Sequence, residues 1–237
     1  AGGTYTVNGV MLDHAYRGAN GIQHPAQLGS QLAHEFAEQA GKPAFVVNPP
    51  DTDEFCDYAR MTGIKGVYRN AHLHALNLKE TAIRHAHSMG KRYRDCNFIV
   101  CHIGGGISIS AHRAGKMIDG FDIVQGEGAI APTRCGAVPV AGVLDYLEAG
   151  HTIEEARALC MKTGGFVDLL GTSDAIEVCN RAAAGDKAAA RAWGAMLYQL
   201  NKYIGSMATV LEGKVDGILL GGGMVHNKDL FASIERG

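Results

Sequence analysis

The chain has 237 residues, 46% hydrophobic and 19% charged, with a formal charge of −2 at pH 7. That is ordinary for a globular protein of one large domain or two modest ones, and it leaves no electrostatic footprint for nucleic acid or an anionic membrane surface. No apolar run is long enough for a membrane helix and no secretory leader is read, so the expected location is the cytoplasm. The six cysteines, Cys56, Cys96, Cys101, Cys135, Cys160 and Cys179, form no CxxC pair. A zinc site is therefore not expected, and most of the thiols read as buried and reduced.

In chain order, Thr4 to Val7 is a β-prone segment, and residues 18–26 read as a loop with Gly18, Gly21 and Pro25. Leu28, Leu32, Phe36 and Ala40 recur at four-residue spacing, which predicts a helix over 26–40 stopped by Gly41. Residues 43–47 are apolar without alternation, the pattern of a buried parallel strand. Pro49-Pro50 ends that strand as a candidate hinge. Asp51 or Thr52 can cap a helix running to about residue 61. A further helix is expected over 71–89, carrying His72, His74, His85 and His87. Residues two apart point to different faces of a helix, so neither histidine pair can jointly hold a metal there.

Residues 98–113 read as strand, glycine turn, strand. The apolar run Phe98 to Ile103 precedes Gly104, Gly105 and Gly106. Ile107, Ile109 and Ala111 then alternate with Ser108, Ser110 and His112, which predicts a strand with one face buried. A second turn at 113–116 leads to a third strand near 117–119. Such glycines let backbone N–H groups close on a ligand, with phosphate the usual one. An ordinary hairpin without a ligand fits these residues equally well. Residues 126–136 form an apolar, glycine-flanked loop with one arginine, Arg134. Its planar fork suits a carboxylate or phosphate, and a surface arginine with a buried stem is the competing reading.

Short helices are expected over 140–149 and 153–162. Thr172, Ser173 or Asp174 can cap a helix over 175–184, an end that favours an anion. The longest helix, 187–212, carries Trp193, Met196, Leu197, Leu200, Ile204 and Met207 near one stripe, read as core. A strand over 215–220 ends in Gly221, Gly222 and Gly223, the position of a ligand crevice in an α/β sheet. Residues 229–237 read as a helix. Three glycine turns, at 104–106, 171–174 and 221–223, together suggest a nucleotide between lobes. There is no GxxxxGK[ST] and no well-placed GxGxxG, so neither a P-loop nor a dinucleotide-binding Rossmann site is expected.

The order of these motifs resembles the acetate and butyrate kinases of the actin/Hsp70/sugar-kinase superfamily, with details closer to the butyrate kinases. Residues 102–109 look like the family's second phosphate-binding hairpin, His74-Ala75-Leu76-Asn77 its short His motif, and residues 132–136 its arginine loop. Residues 2–8 and 44–47 look like N-terminal-lobe segments, and residues 171–175 and 216–223 like adenosine-site elements. The resemblance implies an α/β fold of ribonuclease-H-like, actin-like ATPase lobes, one largely complete and one partial. Residues 1–50 would be the remainder of an N-terminal lobe, and 51–237 the C-terminal nucleotide-binding lobe. It implies phosphoryl transfer between ATP and a short-chain, butyrate-like carboxylate to give an acyl phosphate and ADP, or the reverse, with Mg²⁺ bridging the phosphates and a homo-oligomeric assembly. His74 would hydrogen-bond the phosphoryl group in flight, and Arg134 would pair with the carboxylate or the equatorial oxygens. Gly104, Gly105 and Gly106, with His102 beside them, would hold the β- and γ-phosphates. Gly171, Asp174, Gly221, Gly222 and Gly223 would line the adenosine site.

Two positions depart from the family pattern. Asn48 stands where a metal-associated Asp is usual, leaving the metal ligands open, and Ile176 stands where an arginine often follows the Asp-Ala pair. The family's first phosphate loop, early arginine and C-terminal helices have no counterpart, so the chain is expected to be a core fragment with little kinase activity alone. Two other readings compete with acyl transfer. One is an ATP-binding or ATPase module of the same superfamily, favoured by Asn48. The other is a dimerisation module built on 187–212.

Overall fold

A computed structural model describes residues 2–19 and 25–236. Strands β1 (Thr4–Thr6) and β2 (Phe45–Val47) pair antiparallel, joined through helices α1 (Gly9–Arg17) and α2 (Leu28–Ala40). The reading of residues 43–47 as a buried parallel strand is corrected: β2 is antiparallel, with Phe45 and Val47 exposed. A three-residue apolar run carries no direction, and no second layer covers both its faces. α1 was not expected from periodicity, yet its start is local. The Asn8 side chain accepts the Met11 N–H, and Gly18 closes the far end in a left-handed conformation. Of the loop expected over 18–26, residues 20–24 lie outside the described residues.

Asn48 follows β2 at φ 41° and is buried. Asparagine tolerates this left-handed conformation better than most residues. Its Oδ1 accepts the Gly3 N–H (2.8 Å), and its own N–H donates to Gly3 O (2.9 Å). The side chain thus ties the two short strands together.

The helix expected from 51 to 61 is confined to one turn, α3 (Asp57–Arg60). Distant partners hold residues 51–56 out of helix. Glu54 accepts from the Gly2 and Met117 amides and pairs with the buried Lys79 (2.7 Å), while the Cys56 N–H donates to Ile118 O. The helix expected from 71 begins later, as α4 (Ala75–Ser88). Residues 71–73 are not helical, pinned by Leu73 N–H to Pro50 O and by Ile123 N–H to His72 O. His72 and His74 therefore precede the helix, with His74 at its N-cap position.

The main sheet has the order β5 (Lys116–Asp119), β4 (Ile107–Arg113), β3 (Phe98–Ile103), β6 (Gly217–Gly221), in which the first three run antiparallel and β6 lies parallel to β3. Helices α5 (Val140–Glu148), α6 (Ile153–Met161), α7 (Phe166–Leu170) and α8 (Ala175–Ala183) lead to the long α9 (Lys187–Val210), and α10 (Lys228–Arg236) ends the described chain. The α9 stripe packs as expected. Trp193, Met196, Leu200, Ile204 and Met207 are buried against Ile99, Cys101, Ile103, Ile107 and Ile109, with Leu197 partly buried beside them. α4 covers the opposite face through Leu78, Ala82 and Ala86 against Phe98, Val100 and Leu219.

The alternation in β4 has a different cause from the one expected. Ser108, Ser110 and His112 are fully buried, so both faces of the strand are covered. The polar face survives burial because its groups bond one another. Ser110 Oγ lies 2.7 Å from His112 Nε2, and Tyr93 OH lies 2.7 Å from His112 Nδ1. None of the described helices is long and apolar enough to cross a membrane.

Candidate active site

The carboxyl ends of β3 and β6 meet at one edge of the sheet, where His102 pairs with Gly221. This pairing brings the hairpin 104–106 beside the run 221–223. Gly222 has φ 94°, and a Cβ there would sit 2.4 Å from Ile103 O, so the close packing of the two turns requires glycine. A Cβ on Gly221 would approach Asn77 Oδ1 to 3.0 Å.

His74 and His102 stack at this edge, with ring centroids 3.9 Å apart and planes 16° from parallel. Each ring is held by a residue not singled out from the sequence. Ser108 Oγ accepts the His74 backbone N–H (3.2 Å) and lies 2.8 Å from His74 Nδ1. Its own proton then goes to Nδ1, an assignment that leaves His74 Nε2 protonated and able to donate. Asn77 Oδ1 lies 2.9 Å from His102 Nδ1, which fixes that ring in the opposite tautomer. Ser108 could have been noticed as a polar strand residue two positions beyond the glycines. Asn77 belongs to the quoted His motif.

Arg134 completes the cluster from the loop after β5. Its side chain reaches the hairpin so closely that a Cβ on Gly106 would lie 1.3 Å from Nη1. Arg134 Nε and Nη1 are buried without a hydrogen-bond partner among the described residues. Two orphaned donors of a buried guanidinium are costly unless an anion binds them. The loop itself is braced: Thr133 Oγ1 donates to Gly105 O (3.0 Å), and Cys135 N–H donates to Leu159 O (3.0 Å). Arg69 pairs with Asp119 and Glu127, fastening the start of the same excursion. His72 lies 2.6 Å from the buried Asp122.

The electrostatics are one-sided. Burial, reinforced by His102 and Arg134, pushes the His74 pKa down to about 3. Burial and Arg134 lower His102 as well. Both rings are therefore neutral near pH 7, and the guanidinium supplies the positive charge. His112, buried beside Lys79, is also pushed down to about 3.

These shifts predict a stability profile. Unfolded histidines take up protons below about pH 6.5, whereas folded His74 and His112 do not until about pH 3. Their contribution is intact above pH 6.5 and is lost as the pH falls. His72 has the opposite sign, because Asp122 raises its pKa. Its contribution is complete below pH 6.5 and does not vary there. Denaturant titrations at pH 6.5 and pH 5 should show a loss of roughly 2–4 kcal/mol at the lower pH, at ~1.4 kcal/mol per proton per pH unit. An unchanged midpoint would show that the two rings are not buried as neutral groups.

The third glycine turn stands apart. Gly171 closes α7 at φ 74°, and the Asp174 carboxylate caps α8 by accepting from Ile176 and Glu177 N–H. No hydrogen bond or ring contact among the described residues joins either to His74, His102 or Arg134. Ile176, which stands where the family often has an arginine, is exposed.

Residues 63–233 match the Acetokinase family. A probable butyrate kinase of Elusimicrobium minutum (strain Pei191) is 43% identical over 99% of this chain, and one of Clostridium botulinum (strain Alaska E43 / Type E3) is 39% identical over the same share. The chain spans 66% of the length of each. Among solved structures, Porphyromonas gingivalis acetate kinase superposes with a TM-score of 0.84 at 22% identity, over 98% of this chain and 61% of its own. A propionate kinase from Francisella tularensis subsp. tularensis SCHU S4 gives 0.82 at 21% identity, over 98% and 62%. The α/β fold is thus that of the acetate kinase structures, and the chain belongs to the Acetokinase family.

Proposed function

We propose that the protein transfers a phosphoryl group between ATP and a short-chain, butyrate-like carboxylate, giving an acyl phosphate and ADP. The observation that carries this reading is the buried Arg134, whose Nε and Nη1 lack partners among the described residues, beside the glycine hairpin. A planar fork of this kind matches a carboxylate or the equatorial oxygens of a phosphoryl group in transfer. A carboxylate oxygen attacks the γ-phosphorus, the bond to the β-bridging oxygen breaks, and ADP leaves. His74 Nε2–H donates to the moving group as a neutral hydrogen-bond donor. Gly104 N–H is used within the turn on Gly106 O (3.1 Å), so the Gly105 and Gly106 amides are the cradle's donors toward the phosphates. Gly171, Asp174 and Gly221 to Gly223 are proposed to line the adenosine site, on residues 51–237 as the nucleotide-binding lobe.

The donor set suits Mg²⁺ only as an ion carried on the nucleotide. No three potential metal-ligating side chains gather among the described residues. Mg²⁺ commonly takes one or two carboxylates plus phosphate oxygens and water. Bound there, it would neutralise charge on the phosphates.

The test is a hydroxylamine trap for acyl phosphate, run on the product of the complete reading frame with ATP and Mg²⁺. Turnover should depend on added carboxylate and be highest for chains of about three to five carbons, within the ~1–3 kcal/mol that one methylene can discriminate. Equal turnover on glycerol or a sugar would overturn the assignment. ADP release that ignores carboxylate would replace it with the ATPase reading.

A further inference from the structure

Cys135 follows Arg134 in the arginine loop, and Cys160 lies in the last turn of α6. Their sulfurs are 4.0 Å apart, across 25 residues of sequence. The two backbones are already bonded side by side, since the Cys135 N–H donates to Leu159 O (3.0 Å). Both thiols are half-buried, and all six cysteines are free. Neither sulfur has a role in the phosphoryl transfer proposed above.

The two sites differ in chemistry. The Cys160 pKa is lowered, first because its thiolate accepts the Cys135 S–H and further because Arg157 is near. The Cys135 thiol is pushed up by the same contact and by burial. A half-exposed thiol that ionises more readily than usual, beside a second thiol, is the arrangement of a reactive and a resolving cysteine.

We propose that Cys135 and Cys160 are a redox-modification site, which hydrogen peroxide converts to an intramolecular disulfide that clamps the Arg134 loop to α6. The Cys160 thiolate attacks one peroxide oxygen. The S–O bond forms, the O–O bond breaks, and the leaving hydroxide takes a proton from solvent, giving a sulfenic acid and water. Cys135 then attacks the Cys160 sulfur. The S–S bond forms, the S–O bond breaks, and hydroxide leaves with the Cys135 proton as a second water. Two thiols lose two electrons and the peroxide gains them. The sulfurs must close from 4.0 Å to about 2.0 Å. That movement occurs one residue from the guanidinium seated over Gly106, so oxidation loosens the anion grip. The functional consequence rests on the kinase reading, but the modification does not.

The reduced protein would be treated with a small excess of hydrogen peroxide, alkylated and digested for mass spectrometry. The expected result is a Cys135–Cys160 linked peptide, four of the six thiols still alkylated, and full recovery with dithiothreitol. Six alkylated thiols, loss of a different pair, or Cys160 sulfinic acid with Cys135 alkylated would overturn the proposal. In the hydroxylamine assay, peroxide should lower turnover at least tenfold, reversibly, while Cys160→Ser becomes insensitive. A formed link with unchanged turnover would overturn the clamp. Absence of acyl phosphate from the reduced protein would count against the kinase reading, and the thiol count would still decide the modification.

Discussion

Replacing Arg134 with alanine should lower kcat/KM by about a thousandfold, while folding stability is unchanged or rises. The two halves of this expectation have one cause. Arg134 Nε and Nη1 are buried without a hydrogen-bond partner among the described residues, and burial works against the charge. A desolvated, unpaired donor costs ~1–3 kcal/mol, so its removal relieves the free protein. In the proposed transition state the same donors would face charge spread over phosphoryl oxygens. A preorganised donor there is worth ~3–4 kcal/mol, or roughly 10²–10³ in rate, and an arginine serving phosphoryl transfer more. Lysine should not rescue, because a single ammonium cannot reproduce the planar two-point contact. The hydroxylamine assay reads the rate and thermal unfolding reads the stability. If the alanine variant melts several degrees lower and its activity loss tracks its unfolded fraction, Arg134 is a structural residue.

What could be read from the sequence follows the range of the interactions involved. The β3–β4 hairpin and the α9 stripe are local patterns, in which a few residues of alternation or a four-residue recurrence fix the element. Both appear with ends shifted by a few residues at most. The failures are long-range. Residues 51–56 carry helix-capping side chains, yet the Glu54 bonds to Gly2, Lys79 and Met117 outweigh a local cap. Ser108 to His112 alternate as a solvent-facing strand would, and only the placement of α4 shows that their polar face is enclosed. At the site, residue types were legible and relations were not. His102 and Arg134 stood out as a histidine and an arginine near glycines, and His74 only through the resemblance of residues 74–77 to the family's His motif. Their stacking, their tautomers and the unpaired guanidinium depend on Ser108, Asn77 and Gly106 meeting across three elements. Asn48 reads from the sequence as a weakened metal ligand. In the fold its amide closes β1 and β2 through Gly3 at a left-handed position.

The second large effect is expected from Gly106→Ala, a change of one methyl group. Gly106 does not have a positive φ, so alanine meets no backbone strain there. The obstacle is purely the neighbour: the added Cβ would lie 1.3 Å from Arg134 Nη1 and 2.4 Å from its Cζ. Those atoms are the end of a flexible side chain, so the fold can accommodate the methyl group by expelling the guanidinium from its seat. The variant should therefore fold with a near-normal melting temperature and lose about 10²–10³ in kcat/KM, most of what Arg134→Ala loses. The decisive measurement is the double variant. Two independent sites would add their losses in free energy, giving a defect of about 10⁵–10⁶. If Gly106 acts by seating Arg134, the pair should be no worse than Arg134→Ala alone, and the coupling energy should nearly equal the whole Gly106 effect. Additive losses would mean that the added methyl group disturbs the hairpin's own hold on the phosphates, and that the hairpin and the arginine grip the ligand separately.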